Sequence, residues 1–290
     1  MTQTLLREGR AAVRRATRAH DENFPVAFLL APREVRADMR AVYAFCRATD
    51  DLGDEGSGGP AQRLASLDIW ETGLRAAVAG DPADPGLAAL AGTIGRRGLG
   101  LDPFLRLIEA NRMDQRRSRW DTFDDLLDYC RHSATPVGEM VLGVLGYRDP
   151  WRVGLSDATC IGLQLVNFWQ DIARDLRDRD RVYLPLRDME RFGVAEDDLR
   201  RPEAGPAVRE LIAFQVERAR AYLLRGEPLH RVVPRRVALD IRMFSAGGLA
   251  LCDAIAAQDH DTLRGRPAPG RLGRATIAAR AVRHALGGAP

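Results

Sequence analysis

There is no lysine in this 290-residue chain; all 43 basic residues are arginine. We read that as codon composition rather than chemistry. The arginines are interleaved with 40 acidic residues, as on solvated helix faces, and the formal net charge is only +3. That balance excludes a nucleic-acid-binding surface as the main function. Aromatic residues make up only 6% of the chain, and the abundant alanine and leucine favour helices over sheets. Cysteine is scarce: Cys46, Cys130, Cys160 and Cys252 are scattered, with no C-x-x-C and no Cys/His spacing, which argues against zinc. Their apolar helical neighbours point to buried free thiols and a reducing compartment. The five histidines form no ligand spacing either. No apolar run approaches the length of a membrane span, and the opening "MTQTLLREGRAAVRRATRAH" lacks the continuous apolar core of a secretory leader. A cytoplasmic location is expected, at most peripheral to the inner face of a membrane.

Alternating strand patterns and internal repeats are also missing. What is present is helical periodicity, punctuated by proline and glycine at "LLAPRE", "GSGGP", "GDPADPG", "GLGLDP", "GYRDP", "RRPEAGP" and "RGEP". Between these breaks the pattern predicts helices at about 34–53, 61–79, 102–118, 122–145, 151–178, 207–225 and 235–258. The fourth is interrupted by "SATPVG" at 133–138, which reads either as a Pro/Gly helix break or as room made for a bulky ligand. The spacers are short. The expected architecture is therefore one all-α domain over 1–290, with its core at about 20–258 and a loop and basic tail at 264–290.

Two stretches carry chemistry. In "YAFCRATDDLGDE", an apolar helix runs into Asp50, Asp51, Asp54 and Glu55, with Tyr43 and Arg47 at helical spacing before them. Asp50 and Asp54 sit one turn apart, where like charges repel. Alone, this is a solvated helix end or a metal site. In "GLQLVNFWQDIARDLRDRDRVYLP", Gln164, Asn167, Asp171 and Asp175 form a polar stripe on a helix otherwise carrying Leu165, Val166, Phe168, Trp169 and Ile172. Alone, this is a polar seam between helices or a binding face. Read together, two carboxylate pairs on facing helices could hold Mg²⁺ around one diphosphate, with Arg47 as a forked contact.

These stretches resemble the two aspartate-rich motifs of the squalene and phytoene synthases, and "YCRHSATPVGEM" at 129–140 is similar to a third landmark of that family. The likeness runs from about residue 20 to 255. It implies an all-α isoprenoid synthase helical bundle with a central active-site cavity. It implies Mg²⁺ as cofactor, bound by Asp50, Asp54, Asp171 and Asp175 with Asp51 assisting. Gln164 and Asn167 would lie near the metal and diphosphate, Arg47 and Arg181 would contact diphosphate, and Tyr43, Tyr129 and Tyr183 would be the active-site tyrosines. Phe24, Phe45 and Phe168 would help Tyr129 shield a carbocation.

Within the family, "ENFPVAFLLAP", "SATPVG" and "NFWQD" resemble the hydroxysqualene synthase branch. Condensing members usually carry Arg in place of Gln170 and tend to carry Ser near the position of Asn23. The implied reaction is loss of diphosphate from presqualene diphosphate and capture of water. Two readings stay open beside it: head-to-head condensation of two prenyl diphosphates, and a non-catalytic assembly factor on the same fold, which would not need metal ligands. The tail at 270–288 sets Leu272, Ile277, Ala281 and Val282 among arginines. It suits either peripheral membrane contact or docking on the domain.

Overall fold

Helix formation follows the punctuation closely. The structure, a computed structural model, describes residues 33–54 and 58–270. Phe24, Asn23 and the tail from 271 onward lie outside the described residues, so the expectations placed on them are not addressed by it. Among the described residues there are eleven α-helices and two short 3-10 segments. They are α1 Arg33–Asp54, α2 Pro60–Ala79, α3 Pro85–Arg97, α4 Asp102–Arg116, α5 Phe123–Ser133, α6 Thr135–Val144, α7 Pro150–Gln170, α8 Ile172–Arg179, α9 Leu186–Arg191, α10 Pro206–Gly226 and α11 Arg235–Ala257, with 3-10 turns at Glu196–Arg200 and Glu227–Arg231. A lone bridge joins Arg119 and Val182. The chain groups into two compact units. One holds the residues up to Arg116 together with Pro136–Val153; the other holds Arg117–Thr135 and the residues from Gly154 onward.

In the first unit α1 packs against α2, α3 and α4. Val42, Leu67, Leu74 and Ile108 are fully out of water, and Phe45 stacks on Trp70 at 5.8 Å and meets Phe104 edge-on at 5.3 Å. Burial on this scale is the main favourable term in folding. A buried charge ties α1 to α3: Asp38 accepts from Arg96 at 2.6 Å, Arg97 at 2.7 Å and Thr93 at 3.0 Å. Burial alone would raise this carboxyl, but the two guanidiniums and the hydroxyl outweigh it and hold it below its ordinary range.

Helix α3 is not among the helices that periodicity predicts. Its segment "PGLAALAGTIGRR" carries Gly86, Gly92 and Gly95, and glycine is unfavourable in a helix interior. Its ends are nonetheless well specified. Asp84 caps the start by accepting from the Leu87 N–H at 2.8 Å, Pro85 opens the first turn, and Gly98 closes the helix at φ 61°.

In the second unit α10 packs along α11, and Gly162 of α7 lets α10 approach closely. A Cβ at Gly162 would sit 2.7 Å from Leu223 Cγ and 2.9 Å from its backbone nitrogen. Asp188 of α9 is buried and accepts from Gln215 at 2.9 Å and Arg218 at 2.5 Å. The Arg218 guanidinium lies over Phe123 and Phe214 at 4.3 and 4.2 Å.

Two of the expected helices are divided. The break expected across 133–138 is confined to Ala134, whose N–H still reaches Cys130 O at 2.9 Å. Pro136 then sits in the first turn of α6, where its missing N–H costs nothing. The expected helix 151–178 stops at Gln170 and restarts at Ile172. Asp171 between them takes φ −106° and ψ 13°, in the sparsely populated bridge region.

Candidate active site

The first aspartate motif is the C-terminal end of α1. Tyr43 is buried, and Arg47, Asp50, Asp51 and Asp54 are half-buried. Arg47 Nε meets Asp51 Oδ1 at 2.9 Å, one turn on. Asp50 accepts from Asn111 Nδ2 of α4 at 3.3 Å, and Asn111 also donates to Leu107 O at 3.2 Å. Gln115, one turn further along α4, donates to Gly53 O at 3.0 Å. The close approach of α4 needs a glycine here, because a Cβ at Gly53 would lie 2.1 Å from Asn111 Oδ1. Burial pushes the Asp50 carboxyl up to about 7; the Asn111 hydrogen bond opposes the rise and the Asp54 carboxylate adds to it. Arg47 thus pairs with Asp51 and offsets only part of the cost at Asp50.

The second motif spans the break between α7 and α8. Gln164 is half-buried and Asn167 exposed on α7; Asp171 is the hinge residue and Asp175 is buried one turn into α8. The backbone is continuous across the hinge, with Asp171 N–H to Asn167 O at 3.0 Å and Asp175 N–H to Asp171 O at 2.8 Å. Burial is again the main cause that lifts Asp175, to about 6, with Asp171 adding to it and Arg179 and Arg181 working against it. Arg179 Nη1 lies 3.3 Å from Asp175 Oδ1. Arg266 forks onto Asp171, Nε to Oδ1 at 2.6 Å and Nη2 to Oδ2 at 3.0 Å. Gln170 is buried, and its amide donates to Pro267 O at 2.5 Å. This side chain is therefore engaged inside the protein and turned away from solvent.

The tyrosines of this unit are set by the chain reversal after α8. Asp180 adopts φ 51°, closing the helix, and the Arg181 N–H returns to Asp175 O at 3.1 Å. Val182 N–H then reaches Ser118 O at 3.0 Å and Leu186 N–H reaches Trp120 O at 2.9 Å. This pairing lays Tyr183 on Trp120 at 4.6 Å between ring centres, while Phe168 stacks on its ring at 3.8 Å and 11°. Tyr129 completes the cluster at 5.7 Å from Tyr183 and 6.1 Å from Phe168. All four rings are buried. Arg181 is buried at the same reversal.

Among the described residues, no three His, Cys, Asp or Glu side chains gather into a set that would hold a metal alone. The donors come as carboxylate pairs. That donor set fits Mg²⁺, which is held by one or two carboxylates together with waters and substrate phosphates rather than by a closed protein cage. It also fits the raised Asp50 and Asp175: the first is half-buried and the second buried, each beside another aspartate, the arrangement a hard cation would favour in its ionised form. The residues missed by sequence reasoning are Asn111, Arg179 and Arg266. Arg266 lies 95 residues from its partner in the chain, so no local pattern could reveal it.

The squalene/phytoene synthase family model matches residues 17–273. The chain belongs to that family, whose members are enzymes acting on prenyl diphosphates. A phytoene synthase from Arthrospira platensis is 37% identical over 74% of this chain and 73% of its own length. A hydroxysqualene synthase from Zymomonas mobilis is 32% identical over 82% of this chain and 80% of its own. The crystal structure of squalene synthase HpnC from Alicyclobacillus acidocaldarius shares 47% identity and a TM-score of 0.83, covering 89% of this chain and 97% of that one. No described helix is long and apolar enough to cross a membrane.

Proposed function

We propose that the enzyme converts presqualene diphosphate to hydroxysqualene with Mg²⁺ as cofactor. The observation that carries this reading is the pairing, in each aspartate motif, of a carboxyl withdrawn from water, half-buried in Asp50 and buried in Asp175, and raised above its ordinary value, with a neighbouring aspartate. Such pairs gain from a divalent cation and its anionic ligand. Asp50 and Asp54, and separately Asp171 and Asp175, would hold Mg²⁺, with Asp51 at the edge of the first pair. When bound, Mg²⁺ would offset the charge that builds on the departing diphosphate.

The chain's own groups do the rest. Arg47 and Arg181 bring guanidiniums to the two motifs, where they would contact diphosphate oxygens, and Gln164 and Asn167 offer neutral donors beside the second. The breaking C–O bond leaves its electron pair on the diphosphate. The cyclopropylcarbinyl cation rearranges and is captured by one water, which loses a proton, so that presqualene diphosphate and water give hydroxysqualene and diphosphate. Tyr129 and Phe168 would offer π faces that stabilise a passing cation without reacting with it, and Tyr183, stacked on both Trp120 and Phe168, would hold the Phe168 ring in place. Tyr43 is the corresponding buried aromatic of the first motif.

Incubation of the purified enzyme with presqualene diphosphate, Mg²⁺ and NADPH in ¹⁸O-labelled water tests this. The expected product carries one oxygen from solvent. A second reading, head-to-head condensation of two prenyl diphosphates, is favoured by the phytoene synthase relative. Rapid conversion of farnesyl diphosphate alone to presqualene diphosphate or to a hydrocarbon would establish that reading instead. No turnover of either substrate would leave the assembly-factor alternative.

A further inference from the structure

The segment after α11 makes two neighbouring contacts that the proposed reaction does not use. After α11 and its cap Gln258 come two consecutive left-handed residues, Asp259 at φ 54° and His260 at φ 56°, which turn the chain sharply. Asp261 then anchors it: buried, its Oδ1 accepts from the Ala204 N–H at 3.0 Å and the Arg264 N–H at 3.1 Å, and its Oδ2 pairs with Arg209 at 3.0 Å. Beyond this knot, Arg264, Gly265 and Arg266 are exposed. Then come the two contacts, Arg266 on Asp171 and Gln170 on Pro267. Adjacent residues of one segment thus meet adjacent residues of the other in reverse order, 171 with 266 and 170 with 267.

We propose that the strap 261–270 is a clasp on the second aspartate motif, in which Arg266 competes with the divalent cation for Asp171 and is displaced when the cation binds. The proposal rests on Asp171 serving as a divalent-cation ligand. Both carboxylate oxygens of Asp171 are taken up by the Arg266 fork, and a hard cation needs at least one of them. The guanidinium cannot lose its charge, so a cation arriving on the same carboxylate repels it and favours its departure. It is placed to do so, because its side chain is 57% exposed while that of Asp171 is 14% exposed. The Gln170–Pro267 bond acts as a tether. It keeps Arg266 near its partner, raising its effective concentration there, and it lets the strap's exposed loop open while both the Asp261 knot and the Pro267 end hold.

Full-length wild type, Arg266→Gln, Arg266→Lys and Asp171→Asn are titrated with Mn²⁺, with free Mn²⁺ followed by electron paramagnetic resonance. Deuterium uptake over 262–270 is measured with and without Mg²⁺. Arg266→Gln should bind Mn²⁺ about fivefold more tightly than wild type, in line with a partly exposed forked pair. Arg266→Lys should lie between, because an ammonium pairs with one oxygen at a time. Mg²⁺ should raise uptake in the strap of the wild type and leave Asp171→Asn unchanged. Weaker Mn²⁺ binding in Asp171→Asn with unchanged or weakened binding in Arg266→Gln would overturn the clasp and leave the metal assignment standing. Unchanged binding in Asp171→Asn would instead remove Asp171 from the metal site, and the clasp with it.

Discussion

Replacing Asp50 by asparagine should stabilise the metal-free protein and abolish its turnover. In the fold this carboxyl titrates at about 7, against an ordinary value of 3.8. Between those two values the native state keeps a proton that the unfolded chain has already released. Stability therefore falls as pH rises through that window. Each pH unit across it is worth about 1.4 kcal/mol, which gives about 4 kcal/mol as a ceiling for the cost of the ionised carboxylate. Water reaching this half-buried group screens it, and about 2 kcal/mol is the working figure. Asparagine is isosteric and can still accept from Asn111, so the substitution removes the charge and little else. In EDTA at about pH 8, Asp50→Asn should raise Tm by roughly 4 °C or more; at about pH 5 the gain should fall to less than half, and below about pH 4, where the unfolded chain also keeps its proton, it should vanish. Thermal melts of both proteins across this range give the difference curve directly, and Asp175 cancels because both share it. An equal gain at both pH values, or a loss at the higher one, would refute the reasoning that burial of this carboxyl opposes its ionisation.

Asp171→Asn should likewise stop turnover while leaving the far-ultraviolet circular dichroism unchanged; full activity in saturating Mg²⁺ would take Asp171 out of the site. Gly53→Ala should destabilise by about 1–3 kcal/mol in denaturant titrations, because the new Cβ meets Asn111 Oδ1 at 2.1 Å; a neutral result would mean that α4 can shift without cost. Asp175→Asn should gain stability progressively as pH rises from about 4 to about 6, the value to which burial raises its carboxyl, and keep the full gain above it; an undiminished gain below about pH 4 would point to another cause. Removal of residues 270–290 should reduce co-sedimentation with anionic vesicles if the arginine-rich tail contacts lipid, and equal binding by both forms would assign that contact elsewhere.

The helices of this protein are a local matter, and its sequence determined most of them. Proline and glycine cannot sit comfortably in a helix interior, so they mark both ends of α1, α2 and α10 and the start of α11 to within a residue or two. The same rule conceals α3, whose internal glycines weaken the periodic signal even though its Asp84 cap and Gly98 stop are both written in the sequence. The two aspartate motifs are legible for a similar reason, since a one-turn spacing fixes which carboxylates share a helix face. What tertiary structure alone decided is the electrostatic state of those carboxylates. Asp50 and Asp54 share a motif, yet it is the packing of α4, carrying Asn111 against Gly53, that buries Asp50 and sets its titration. Asp171 reads as a candidate ligand open to a cation until Arg266, 95 positions away, is brought onto it. Gln170 reads as a neutral neighbour of a ligand until it is found holding the carbonyl of Pro267. Periodicity reports which side chains line up along one helix, whereas desolvation and ion pairing depend on what another segment brings against them, and that is settled only when the chain has closed on itself.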